Sequence, residues 1–189
     1  MSNIGHYLEQ MREMAEACNK LNHVEQGSYP YSCQADFVLQ HGHNWTAIPF
    51  PQGRFKLRRG RMKRCFQNAF NWAQEFPQDL TYVEGYACRI IPIHHAWCVD
   101  RDGNVIDPTW KNQQDCEYFG VPFSLKFVRD TILRTRMYTS MIDNYFEGHP
   151  LLMGTQKIED ALVAPVVLVD MKITPTGRAK IAKALEKSA

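Results

Sequence analysis

Residues 65–110 read CFQNAFNWAQEFPQDLTYVEGYACRIIPIHHAWCVDRDGNVIDPTW, and this stretch decides the fold. From Cys65 to about residue 76, Phe66, Ala69, Phe70 and Ala73 recur at three- and four-residue steps, the spacing of a helix with one apolar face, and Pro77 stops it. Residues 82–91 are rich in β-formers around Gly85. A second strand follows at 94–100, then the turn Asp102-Gly103, then a third run at 104–107. Asp-Gly between two such runs is a strong hairpin signal. A helix followed by hairpin-linked strands predicts an α+β domain rather than a doubly wound parallel sheet.

Outward from this core, residues 3–22 carry Ile4, Tyr7, Leu8, Met11, Met14, Cys18 and Leu21 at helical spacing, which predicts an amphipathic helix with a core-facing stripe. Gly27, Pro30, Gly42, Pro49, Pro51 and Gly53 punctuate 23–53, which reads as a packed loop with one short strand, one wall of a cleft. Residues 123–147 read as one long helix or two shorter ones, ended by Gly148 and Pro150. Residues 164–171 (APVVLVDM) read as a strand, and a last helix starts at Pro175 after Thr174 and runs to about residue 187.

The 189 residues suit a single domain, 1–189, and a chain of this length can bury about 70% of its unfolded surface. Charged residues make up 22%, which excludes long disorder. Twenty-two basic against 20 acidic side chains give no global pull toward nucleic acid or an acidic membrane. No apolar run reaches the ~18 residues of a membrane span, so no membrane partner is expected. The start, MSNIGHYLEQ, lacks the pattern of a signal peptide, and the expected location is cytoplasmic. There the six cysteines, none in a CxxC pair, are expected to be thiols.

Three residues carry the chemistry. Cys65 opens a helix, His95 lies in a strand ahead of Ala96-Trp97, and Asp107 ends the next strand ahead of Pro108-Thr109-Trp110. The thiolate is the nucleophilic form of cysteine, and a helix N-terminus and a neighbouring imidazolium both favour it. The same N-terminus can offer an N–H to a developing oxyanion. A histidine acting as base and then acid needs one ring nitrogen toward the sulfur and the other held by a partner. Adjacent antiparallel strands set His95 and Asp107 side by side when the register fits. His94 and His95 point to opposite faces, so only one of them meets Cys65.

Val83-Glu84-Gly85-Tyr86, His95-Ala96-Trp97 and Asp107-Pro108-Thr109, following Cys65 in that order, resemble the core of the transglutaminase-like superfamily of papain-fold cysteine enzymes. The resemblance covers about residues 60–112. It implies a papain-like, transglutaminase-like core in which a nucleophile-bearing helix packs on an antiparallel sheet. It implies Cys65 as nucleophile, His95 as general base and acid, and Asp107 as the orienting carboxylate. The implied step is attack on an amide or acyl carbonyl of a protein, peptide or other acyl substrate, through a thioester and without a cofactor. The family selects His95 over His94. Hydrolysis, as a peptidase or deamidase, is expected over cross-linking, because the chain has no room for the extra β-domains of animal cross-linking enzymes. One departure stands out. Papain-type peptidases place a Gln several residues before the Cys, whereas the nearest upstream one here is Gln52. Gln52, Asn44 and Trp45 are the candidates for a second oxyanion donor beside the Cys65 N–H.

Other features have two readings each. Residues 54–64 (RFKLRRGRMKR) hold seven basic side chains. They form either a groove for an acidic or phosphate-bearing ligand, with Arg58, Arg59 and Arg61 as contacts, or a solvated loop. On the first reading the chain could be a binding module with Cys65 dispensable. Trp97 and Trp110 either wall a substrate channel or pack the core. Cys88 and Cys98 read as core, and Cys116 as incidental in a polar loop. Cys33, His41 and His43 raise a metal question through the H-x-H spacing, but no further ligand joins them in sequence, and no metal site is assigned.

Overall fold

A computed structural model describes residues 3–25, 27–51, 53, 55 and 59–163. The chain is mixed α+β. Helices α1 (Asn3–Leu21) and α2 (Gln34–His41) precede an edge strand, β1 (His43–Trp45). Then come α3 (Cys65–Glu75), β2 (Leu80–Cys88), β3 (Pro92–Asp100), the two-residue β4 (Val105–Ile106), β5 (Glu117–Phe123), α4 (Leu125–Thr135) and the short α5 (Ile158–Ala161). The five strands form one antiparallel sheet in the order β1-β5-β2-β3-β4.

The pleat sorts the side chains into two cores. Tyr82, Tyr86, Ala96 and Cys98 face the helices and join Ile4, Leu8, Phe37, Ala69, Phe70 and Val128. Val83, Ala87, Trp97 and Val99 face the other way, into a smaller cluster with Val105, Cys116 and Tyr118. The hairpin between β3 and β4 turns where expected. Gly103 takes φ +78°, and the Asp100 carboxylate accepts the N–H groups of Asp102 and Asn104 at 3.0 and 2.9 Å.

Several expectations are corrected. The stripe of α1 is core-facing only at its start: Ile4 and Leu8 are buried, whereas Met14 and Leu21 are 64% and 78% exposed. The stretch 23–53 contains α2 as well as the short strand. Its Asp36 accepts the N–H and hydroxyl of Ser32, tying down the helix start, while Phe37 and Val38 are fully buried. The residues of 117–123 carry no clear strand signal, yet they form β5, an inner strand between β1 and β2. Gly120 and Pro122 disguise it. A Cβ on Gly120 would stand 2.6 Å from the Trp97 ring and 2.7 Å from the Glu84 carbonyl, so only glycine fits. Pro122 lies beyond the reach of β1, where its carbonyl accepts the Val163 N–H at 3.2 Å beside the isolated Phe123–Leu162 bridge, so its missing N–H interrupts no ladder with β1. The helix expected over 123–147 stops at Arg136, which takes φ +56°. Residues 139–142 are buried as loop, not helix. The expected strand at 164–171 and last helix at 174–187 lie outside the described residues.

Candidate active site

β4 pairs only with Cys98 and Val99, so on that side the edge of β3 from Trp97 back to Pro92 has no strand beside it among the described residues. The chain leaving β4 turns through Asp107–Trp110 at this gap. The segment leading into α3 is tied to the same turn. Gly60 N–H donates to the Pro108 carbonyl at 2.8 Å, and the buried Asn68 amide donates to Thr109 Oγ1 at 2.9 Å and to the Arg61 carbonyl at 2.8 Å. A Cβ on Gly60 would lie 1.9 Å from Asn68 Oδ1, so this close approach requires glycine. Together these bonds fix where α3 begins relative to β3.

Cys65 is the first residue of α3, and Arg64 before it supplies no side-chain cap. Cys65 lies close enough to His95 to help raise the pKa of its imidazole. His95 Nε2 lies 2.8 Å from Asp107 Oδ2, and both side chains are essentially buried. With Nε2 on the carboxylate, Nδ1 is the ring nitrogen left for the sulfur. Trp110 stacks on the imidazole at 4.5 Å between centroids and 23° between planes, which fixes the ring's tilt.

The Asp107 carboxylate has four donors. Besides His95, it accepts Tyr118 Oη–H on Oδ2 at 2.9 Å and the N–H groups of Thr109 and Trp110 on Oδ1 at 2.7 and 3.0 Å. Burial alone would raise its pKa, but the charge and hydrogen bond of His95 and the two backbone bonds outweigh burial and hold it below the ordinary value. Burial likewise pushes the His95 pKa down, yet Asp107 and then Cys65 overcome it, and the value is pushed up to about 9. The imidazole is therefore held in its charged form at neutral pH. By contrast, burial pushes the Cys88, Cys98 and Cys116 thiols up, which leaves them protonated. Cys116 is buried, not incidental in an open loop; its thiol faces the Asn112 carbonyl.

The remaining predicted residues divide. Arg59 turns inward: its guanidinium donates to the carbonyls of Trp110 and Asp107 and lies 4.1 Å from the centroid of the Phe50 ring. It braces the Asp107–Trp110 turn rather than facing a ligand groove. Arg61 is exposed, and Arg58 and Gln52 lie outside the described residues. Trp97 is fully buried, so it backs the site from the core and walls no open channel; its Nε1–H has no acceptor among the described residues. Trp110 is partly exposed. Trp45 Nε1 donates to the Gly120 carbonyl at 3.0 Å, which removes it as a free oxyanion donor, and Asn44 is exposed on the edge strand. Among the described residues, no three His, Cys, Asp or Glu side chains are arranged to hold a metal ion; His41 instead meets the Tyr31 hydroxyl at 2.7 Å.

Sequence reasoning missed three supports. Gln113 is fully buried: its Oε1 accepts the Asp107 N–H at 2.8 Å, and its amide nitrogen donates to the carbonyls of Ile48 and Val105. Tyr118 comes from a strand that was not foreseen. Glu84 is a fully buried carboxylate on the helix-facing side of β2. It meets His94 Nε2 at 3.0 Å and accepts from the Tyr82 and Ser140 hydroxyls and the N–H groups of Met141 and Ile142. His94 is thus held in a polar cluster and is not loosely packed. The V-E-G-Y motif signalled the strand but not the burial of its acid. The chain matches no family model, no curated protein and no solved structure.

Proposed function

We propose that this chain is a cysteine-dependent enzyme of the transglutaminase-like, papain-fold type that attacks an amide or related acyl carbonyl. The observation that supports the reading is the buried His95–Asp107 pair at 2.8 Å, with Cys65, the first residue of an 11-residue helix, close enough to help raise the His95 pKa. The Cys65 sulfur adds to the carbonyl carbon while the first-turn N–H groups of α3 face the developing oxyanion. The carbon–nitrogen bond then breaks, and His95 passes its Nδ1 proton to the leaving amine. The acyl group remains on Cys65 as a thioester. A water molecule, deprotonated by His95, attacks it and frees the acid; an amine in place of water would give transfer. Asp107 keeps the ring in one orientation and stabilises its positive charge throughout. Hydrolysis remains the favoured outcome, with a peptide or other acyl compound as substrate and no cofactor.

The test is acylation of the protein by p-nitrophenyl acetate, with the adduct mapped by mass spectrometry. The expected result is a burst of p-nitrophenol with acetate on Cys65, absent in Cys65→Ala and in His95→Ala. Acetylation spread over the exposed cysteines and lysines, with no burst, would overturn the reading.

A further inference from the structure

The segment before Cys65 and the end of α4 converge. Lys63, Arg64 and Phe66 on one side, and Arg136, Met137 and Tyr138 on the other, wall a cleft of about 250 Å³. The two residues that flank Cys65 in the chain, Arg64 and Phe66, are both in its wall. Lys63, Arg64 and Arg136 are exposed, and among the described residues none of them makes an ion pair. Arg64 donates to the neutral Gln67 amide at 3.1 Å. Among the described residues, no carboxylate lines the cleft. The two acids nearest to Arg136 in sequence are already engaged: Asp130 with Lys126 and Asp143 with His149. Three cations without an ion-pair partner among the described residues therefore line one hollow whose wall holds both chain neighbours of Cys65, together with the apolar Phe66, Met137 and Tyr138, the last packed on Phe70.

Like charges gathered in this way repel one another, and an anion between them relieves that cost. Guanidinium groups suit carboxylate and phosphate oxygens in particular, because their planar N–H pairs match the spacing of two oxygens. We propose that this cleft is the anion subsite of the Cys65 centre and that the acyl substrate carries a negatively charged group beside the carbonyl attacked. The inference rests on the reading of Cys65 as the nucleophile. It also revises the role of the basic run. Arg59 faces inward, and the ligand-facing cations are the end of the run together with Arg136, which lies far along the chain and which composition did not connect to it.

The experiment uses matched alkylating probes that react only through a thiolate, the sulfur displacing iodide from the same iodoacetyl group. The α-amides of N-iodoacetyl-glutamate and N-iodoacetyl-glutamine differ by one charge, the second being neutral, and 2-(iodoacetamido)ethyl phosphate carries the alternative anion. Rates at Cys65 are followed by peptide mapping in wild type, Arg136→Gln, Arg136→Lys and Lys63→Gln. Wild type is expected to react roughly tenfold faster with the glutamate probe than with the glutamine probe. That ratio should fall about threefold with each cation removed, recover in Arg136→Lys, and shrink as salt is raised. A glutamate rate above the phosphate rate assigns an acidic side chain; the reverse order assigns a phosphorylated substrate. Equal rates for the glutamate and glutamine probes, or a preference unchanged in Arg136→Gln, would sink the subsite while leaving the nucleophile intact. A Cys65 no faster than the exposed Cys18 with the neutral probe would sink the nucleophile and the subsite with it.

Discussion

His94 and His95 are chain neighbours on one strand, and each meets a fully buried carboxylate, yet the two pairs are built for different ends. His95 bonds Asp107 through Nε2, lies near enough to Cys65 for the thiol to raise its pKa, and has Trp110 stacked over the ring. His94 bonds Glu84 through Nε2 and has the Gln34 amide at 3.2 Å from Nδ1, with Phe66 and Tyr86 against its ring. The first carboxylate is held by its own turn and by Tyr118. The second gathers the hydroxyl of Ser140 and the N–H groups of Met141 and Ile142, nearly sixty residues away. One pair lies beside the proposed nucleophile and the other anchors a loop. An imidazole beside a carboxylate is therefore no sign of chemistry by itself; what occupies the other ring nitrogen decides.

The sharpest way to break this comparison is to delete each ring in turn. His95→Ala is expected to lower the rate of Cys65 acylation by p-nitrophenyl acetate on the order of 10³-fold, since both the proton carrier and the positive charge beside the sulfur are lost. His94→Ala is expected to change that rate less than about threefold and to lower stability instead, because Glu84 loses one of its donors. Equal losses of rate in the two variants would refute the division of labour.

The carboxylates follow with effects of the next size. Asp107→Asn should cost about 3–5 kcal/mol in urea unfolding, because a buried charge loses its partner and an amide N–H₂ must face other donors. It should also slow Cys65 acylation roughly 10²-fold or more by releasing the ring. Glu84→Gln should cost about 3 kcal/mol for the same reason, while acylation by the folded protein stays within a few fold. Its damage should be local: amide exchange at Met141 and Ile142, which donate to that carboxylate, should rise. A Glu84→Gln protein that unfolds normally yet loses acylation would move Glu84 into the chemistry.

A pH series separates the pairs by sign. The His95 pKa is raised from 6.5 to about 9 in the folded chain. Its contribution to stability is complete below 6.5 and is lost as pH rises through about 9. Asp107 runs the other way: its pKa is lowered from 3.8, so its contribution is complete above that value and is lost as pH falls through the depressed one. The pair is therefore most stabilising between 3.8 and 6.5. Unfolding midpoints of wild type and Asp107→Asn should differ most near pH 5.5 and converge toward pH 9.5. A gap that stays constant over that range would mean the ring is neutral in the folded state.

Much of this arrangement was legible because it is local. Asp102-Gly103 predicts its own turn, alternation separates His94 from His95, and Pro77 marks the end of α3. The two N–H groups that hold Asp107 belong to the residues just after it, within reach of an Asx-type turn. What was hidden depends on partners far along the chain. Nothing near Glu84 says that it will be buried, because its donors are at 140–142. Gly120 and Pro122 look like breakers until the Trp97 ring and the short reach of β1 explain them. Arg59 looks like one more cation of a basic run until the carbonyls of the Asp107–Trp110 turn are seen against it. Composition marks charge and cannot say which way a side chain turns.

Arg59 supplies the smallest effect and tests how far the His95 pair depends on its surroundings. Its guanidinium holds the Asp107 and Trp110 carbonyls from outside and covers Phe50, whereas the Asp107 carboxylate keeps all four of its donors without it. Arg59→Lys keeps the charge but loses the planar group, so stability should fall by about 1 kcal/mol. The stack of Trp110 on His95 should loosen, which tryptophan fluorescence can follow. Acylation of Cys65 should fall by less than about threefold, because the ring's orientation is set first by the carboxylate and only then by the indole. The same change in a ligand-facing arginine keeps the charge and would leave both the fluorescence and the preference for anionic probes nearly unmoved. Arg136→Lys provides that control. If Arg59→Lys behaves as Arg136→Lys does, the inward reading of Arg59 fails, and the whole basic run returns as a ligand surface.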